Sequence, residues 1–208
     1  MFLKGMTYML ITGLFVASLV ISNVVAGKIL DLAGFIVPGA FLLYAITFLM
    51  TDLMNEIYGR KEATKLVQVG FIASIFAAVF IYLTQLLPAA AFATEVQGAY
   101  EILLGTNLRF VVASMLAYYI SQMWDVWVFS LLRKKTNGKA KWLRNNVSTL
   151  TSQVIDTAIF IVIAFIGQVP DIMWMIVSQY VLKMLVALAD TPIFYLLTRK
   201  IKPRAVAE

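Results

Sequence analysis

Apolar residues in this chain come in runs of about twenty or more, broken by short polar punctuation. The spacing predicts six helices at about 6–30, 38–58, 63–87, 107–133, 145–167 and 172–199. Pro38-Gly39 opens the second, Gly59 closes it, Pro88 follows the third, Asn137-Gly138 marks a turn after the fourth, and Pro170-Asp171 separates the last two. Runs of this length cross a hydrocarbon core about 30 Å thick. The expected fold class is all-α: a polytopic membrane protein with six transmembrane helices in one bundle, a single domain over residues 1–208. If its halves are a duplication, three helices per half make them inverted repeats. The first run is longer than a signal-peptide core and lacks a small-residue cleavage site, so it is expected to be a retained span.

Polar residues inside these runs recur three and four apart, which places them on single helix faces. Helix 1 carries Ser22 and Asn23; helix 2, Asp52, Asn55 and Glu56; helix 4, Tyr118, Gln122 and Asp125; helix 5, Thr149, Ser152, Gln153 and Asp156; helix 6, Gln179, Lys183 and Asp190. Helix 3 has little besides Ser74, Thr84 and Gln85 and is expected to be a lipid-facing scaffold. Asp52, Asp125, Asp156 and Asp190 lie roughly 10–15 Å from the nearest helix end at about 1.5 Å per residue. They are too short to reach the interface. A carboxylate there costs about 2.5–3.5 kcal/mol on insertion scales, and points to a polar pathway or binding site. Asn23, Ser152 and Gln153 read more readily as hydrogen bonds between helices than as ligand contacts. Phe129, Phe160 and Phe194 each follow an aspartate by four residues and read as packing.

Charge then fixes an orientation. Of 17 Lys and Arg, 14 fall at the N-terminus, between helices 2 and 3, between helices 4 and 5, and at the C-terminus. Basic residues concentrate in short cytoplasmic loops, so both termini are expected to be cytoplasmic and the localisation the cell (inner) membrane. The net charge of +6 is explained the same way: the run from Arg133 to Arg144 faces anionic lipid headgroups, and no nucleic acid is implied. The absence of Cys and His removes thiolate nucleophiles, disulfides and Cys/His metal sites, so no metal or cofactor is expected. Lys183 is the one fixed cation near the middle of the bilayer. Four carboxylates cannot all stay ionised and dry beside one lysine. Some must be protonated, wetted, or met by a ligand's donors, which predicts a water-accessible cleft toward the cytoplasmic half.

Several of these stretches resemble the queuosine precursor transporter family, also called the vitamin uptake transporter family. The matching residues are Ser22-Asn23, the segment from Thr51-Asp52 through Asn55-Glu56 to Gly59-Arg60, the segment Ser121-Gln122-Met123-Trp124-Asp125 continuing to Phe129, Val147-Ser148-Thr149 with Gln153 and Asp156-Thr157, then Lys183 and Pro192. The resemblance covers nearly the whole chain. It implies import of 7-cyano-7-deazaguanine and 7-aminomethyl-7-deazaguanine, precursors of the tRNA nucleoside queuosine, and a relation to the six-helix substrate-binding subunits of energy-coupling-factor transporters.

The residues suit such a cargo. A guanine-like edge offers adjacent N–H donors for a carboxylate, an oxygen for Gln, Asn or Lys, and flat faces for an aromatic ring. The substrate-binding candidates are Asn23, Asp52, Asn55, Glu56, Tyr118, Gln122, Trp124, Asp125, Gln153, Asp156, Phe160 and Lys183. One of Asp125, Asp156 or Glu56 is expected to grip the donor edge. Gln122 or Asn23 contacts the ring, and Trp124, Tyr118 or Phe160 stacks on it. Asp52 reads as a gating or helix-locking residue and Asp190 as a structural one. No Gly-x-x-x-x-Gly-Lys-Ser/Thr loop is present, so the chain itself is not expected to hydrolyse ATP. The alternatives are a capture subunit needing separate ATPase and scaffold partners, and an intramembrane aspartyl enzyme. The Gly-x-Gly-Asp signature of the latter is missing, so the chain is not expected to be an enzyme. Proton coupling and an oligomer are both compatible with the sequence.

Overall fold

A computed structural model describes residues 2–25, 28–32, 35–104, 108–167 and 171–198. Pro170, residues 199–208, and the side chains of Arg109 and Asp190 lie outside the described residues, and so do the expectations placed on them. In chain order the elements are α1 (Phe2–Val25), β1 (Ile29–Leu32), β2 (Phe35–Pro38), α2 (Phe41–Tyr58), α3 (Arg60–Gln85), α4 (Thr94–Leu104), α5 (Leu108–Lys135), α6 (Lys141–Phe165) and α7 (Ile172–Thr198). The body is helical, as the periodicity predicts. Helices overlap all six predicted segments, but the count of helices is not the predicted one.

Two elements depart from that expectation. The first predicted helix, 6–30, stops at Val25, and the antiparallel hairpin β1–β2 follows, with Ile29 opposite Pro38 and Leu32 opposite Phe35. Apart from Asp31 its residues are apolar, and Ile29, Ile36 and Val37 are β-branched, so hydropathy continues across it while the backbone changes state. The short helix α4 occupies the predicted loop between the third and fourth long helices, which brings the described helices to seven. At 11 residues it is too short to register among runs long enough to span a membrane.

Turn chemistry sets the ends. Gly59 has φ 93°, closes α2 through its N–H to the Asn55 carbonyl, and leads directly into α3. Asn137 and Gly138, also at positive φ, turn the chain from α5 to α6 as predicted. Asp171 caps α7, accepting the Trp174 N–H at 2.8 Å.

Four helices are long and apolar enough to cross a membrane by length and composition: α1 from Met6, α3, α6 and α7. Neither α2 nor α5 meets that description. These two are the polar interior of the bundle: α2 packs on α1, α3, α5 and α7, while α5 packs on α2, α3 and α6. Helix α3 turns Ile72, Phe76, Val79, Phe80 and Leu83 outward, in accord with its reading as a scaffold.

One apolar cluster joins α1, α2, α3, α5 and α7 through Phe15, Leu19, Met54, Val67, Phe129 and Phe194. At its centre a Cβ on Gly70 would stand 2.5 Å from the Phe15 ring and 2.7 Å from the Tyr118 hydroxyl. Only glycine lets α1, α3 and α5 meet there. Gly70→Val is expected to cost about 1–3 kcal/mol through overpacking. A thermal melt in detergent checks this, and an unaltered midpoint would show that the three helices can separate there freely.

Candidate functional site

Four layers of polar side chains stack along the bundle between α2, α5, α6 and α7. The lowest lies where the α2–α3 and α5–α6 turns meet. Here Glu56 is buried and bound by Arg144 Nη2 at 2.5 Å, with Lys141 Nζ at 3.5 Å and Arg133 Nη1 at 3.9 Å. Arg133 also donates to the Asn55 carbonyl at 2.7 Å, and Arg144 donates to the Gly138 carbonyl at 2.8 Å. Arg144 is 0% exposed and Arg133 is 7% exposed. This corrects the reading of the Arg133–Arg144 run as headgroup-facing: three of its six cations turn inward to a single carboxylate. Arg144 lies one turn into α6, against the Phe129 ring at 5.4 Å.

The second layer holds Asp52 and Asp125, both buried. Thr149 donates to Asp52 Oδ2 at 3.4 Å and Ser152 to Asp125 Oδ1 at 3.1 Å. The other two oxygens, Asp52 Oδ1 and Asp125 Oδ2, receive no donor, and the carboxyl groups lie within mutual hydrogen-bonding reach. Among the described residues neither makes a salt bridge. A small cleft of about 10 Å³ lies beside Asp52, lined also by Phe48, Leu49, Asn145, Thr149 and Ala187, with room for roughly one water. It is narrow.

Above it Gln122 accepts from Thr51 at 3.2 Å and donates to Thr47 at 3.4 Å, tying α5 to α2. The fourth layer contains Asp156 and Lys183. Lys183 Nζ donates to Asp156 Oδ2 at 2.7 Å and to Thr157 Oγ1 at 3.2 Å, and Ser121 donates to Asp156 Oδ1 at 3.3 Å. The ammonium stands 5.8 Å from the centre of the Tyr44 ring, whose hydroxyl is 3.3 Å from Ser114 Oγ. Among the described residues the carboxylate that partners Lys183 is Asp156.

The twelve candidates therefore separate. Asp52, Glu56, Gln122, Asp125, Asp156 and Lys183 form the column. Asn55 holds α5 through the Val126 carbonyl and Ser130, and Tyr118 donates to the Val67 carbonyl at 2.9 Å; both are helix ties in this arrangement. Gln153 is buried with its Oε1 unpaired, Phe160 is half-buried against Phe165, and Asn23 is half-buried on α1. Trp124 is not part of the column. It is 40% exposed on the outer face of α5, beside Trp127 and bonded to Thr151. Sequence reasoning missed Tyr44, Ser121, Arg144 and Asn145. The first two share the helical stripes of Thr51 and Asp125, and that spacing was the available signal.

A family model described as "Putative vitamin uptake transporter" matches residues 38–197, a span that includes every candidate except Asn23. The chain is 35% identical over 201 residues to a Bacillus subtilis protein named probable queuosine precursor transporter, covering 94% of this chain and 86% of that one. This chain belongs to the queuosine precursor transporter family. A second relative, from Haemophilus influenzae and also named probable queuosine precursor transporter, is 32% identical over 127 residues, 60% of this chain and 50% of its own. The Escherichia coli queuosine precursor transporter is 30% identical over 147 residues, 69% of this chain and 62% of its own. No solved structure shows a significant match. The family is one of transporters, so the protein is a transporter and not an enzyme, and its apolar helices make it a multi-pass membrane protein.

Proposed function

We propose that this transporter imports the queuosine precursors 7-cyano-7-deazaguanine and 7-aminomethyl-7-deazaguanine across the cell (inner) membrane, its six long helices all spanning and both termini cytoplasmic. The observation that carries the reading is the Asp156–Lys183 pair, an acceptor and a donor side by side inside the bundle. A guanine edge presents the complementary order, N–H donors next to a carbonyl oxygen. Asp156 receives the donors, Lys183 meets the oxygen, and the Tyr44 ring beside Lys183 offers a face for the base. Gln153 and Phe160, about one turn to either side of Asp156 on α6, line the same position. The relatives' names support the cargo class, and they do not favour a capture subunit.

Purified protein alone in liposomes is expected to take up the labelled cyano base. A deazapurine lacking the exocyclic amine is expected to compete roughly 100-fold less well, because the carboxylate keeps an unpaired oxygen. Uptake that requires an added ATPase would overturn the stand-alone reading, and equal competition by the analogue would overturn the role of Asp156.

A further inference from the structure

We propose that Asp52 and Asp125 together hold one exchangeable proton and that this proton is the coupling ion of the transport cycle. The coupling role rests on the import reading above, whereas the proton site does not.

The two carboxyl groups face one another from α2 and α5, each with one oxygen that no side chain serves. A carboxylate accepts only, so two of them in contact repel unless a proton lies between them. What surrounds them offers no other remedy. From α6 they meet the hydroxyls of Ser148, Thr149 and Ser152, and from α7 the cleft receives Ala187. The nearest cation, Arg144, is bound to Glu56. By contrast Glu56 and Asp156 each have cations in contact. The middle pair is thus the member of the column that needs a small cation from outside.

A second observation supplies the route. Asn145, 3% exposed, lines the cleft beside Asp52, and its Oδ1 is an acceptor with no donor. A protonated Asp52 can turn from Asp125 to that oxygen, which gives the proton a way out when α2 and α5 part. The cleft holds roughly one water, which suits a proton better than a hydrated metal ion.

Infrared spectra of the full-length protein in lipid at pH 7 read the site directly. The wild type is expected to show the carbonyl stretch of a protonated carboxylic acid. Asp52→Asn and Asp125→Asn are each expected to lose it, and Asp156→Asn to keep it. Absence of the band from the wild type, or its survival in both Asp52→Asn and Asp125→Asn, overturns the proposal. In liposomes an inward proton gradient is expected to raise accumulation of the cyano base at least tenfold in the wild type, and to have no effect in those two variants. Accumulation driven by sodium instead overturns the coupling role. A wild type that takes up none of the base sinks the import reading and the coupling with it, while the infrared band still decides whether the two carboxyl groups share a proton.

Discussion

Glu56→Gln is expected to destabilise this protein by about 3–5 kcal/mol, because it removes the buried anion that Arg133, Lys141 and Arg144 share. Arg144 is fully buried with its head group on Glu56, and the Gly138 and Lys139 carbonyls that it also reaches carry only partial charge. Arg133 keeps its bond to the Asn55 carbonyl, but with Glu56 neutral the Arg133 and Arg144 guanidiniums lose the carboxylate that lies between them. Repulsion then acts where α2, α5 and α6 converge, so the loss should appear as a lower melting temperature by roughly 10 °C. The double variant Glu56→Gln with Arg144→Met is expected to recover at least half of the loss, because removing both partners leaves fewer uncompensated charges than removing one. A melting temperature unchanged in the single variant would mean that the cluster is hydrated and contributes nothing. Charge at this end also sets which way the chain inserts, so membrane yield must be compared along with stability.

How far the sequence reaches into this arrangement depends on whether a property is local. Helical faces are local, and the stripes on α2, α5 and α6 are legible as inward because residues three and four apart share a side. The same rule excludes Trp124, which only its aromatic ring recommends. It sits two residues from Gln122 and one from Asp125, about 200° and 100° around the helix at 3.6 residues per turn. Pairing is not local. Nothing in the spacing of Glu56 and Arg144 says that residues 88 apart will meet at 2.5 Å. A basic run beside a span end obeys the topology rule whether its guanidiniums point to headgroups or fold beneath the bundle. The hairpin is hidden because hydropathy is blind to backbone state: Ile29, Leu30, Ile36 and Val37 extend the apolar run after α1 has ended. Gly39 marks the return, its N–H bonded to the Lys28 carbonyl at 2.7 Å, with a Cβ there only 3.0 Å from the Val25 carbonyl.

The three charged layers differ in a way that assigns them different work. Surplus cation around Glu56 holds three helices at one end, the Asp52–Asp125 pair lacks a cation, and Asp156–Lys183 is balanced. A balanced pair is neutral when closed and exposes one donor and one acceptor when opened, which is the property a neutral base with both kinds of group can exploit. Binding then exchanges one set of hydrogen bonds for another at little net cost in desolvation.

That exchange makes Asp156 and Lys183 the positions where uptake should be most sensitive. Asp156→Asn and Lys183→Met are each expected to lower kcat/KM for the cyano base about 10³-fold, roughly 4 kcal/mol at 1.4 kcal/mol per tenfold. Either change also leaves a buried partner uncompensated, so lost uptake alone does not separate binding from stability. The exchange variant, Asp156→Lys with Lys183→Asp, makes the separation. It restores a salt bridge between α6 and α7 and is expected to recover the wild-type melting temperature to within about 1–2 kcal/mol, a typical cost for repacking. It presents the base with its donor and acceptor reversed, and Ser121 and Thr157 then face the wrong partners, so uptake should stay at the level of the single variants. Recovery of both stability and uptake would make the pair a helix lock with no hold on the substrate. Recovery of neither would show that the two environments are not interchangeable, and measuring base binding to the separately stabilised Lys183→Arg variant would then decide, since a guanidinium keeps the charge and the donor while lengthening the reach.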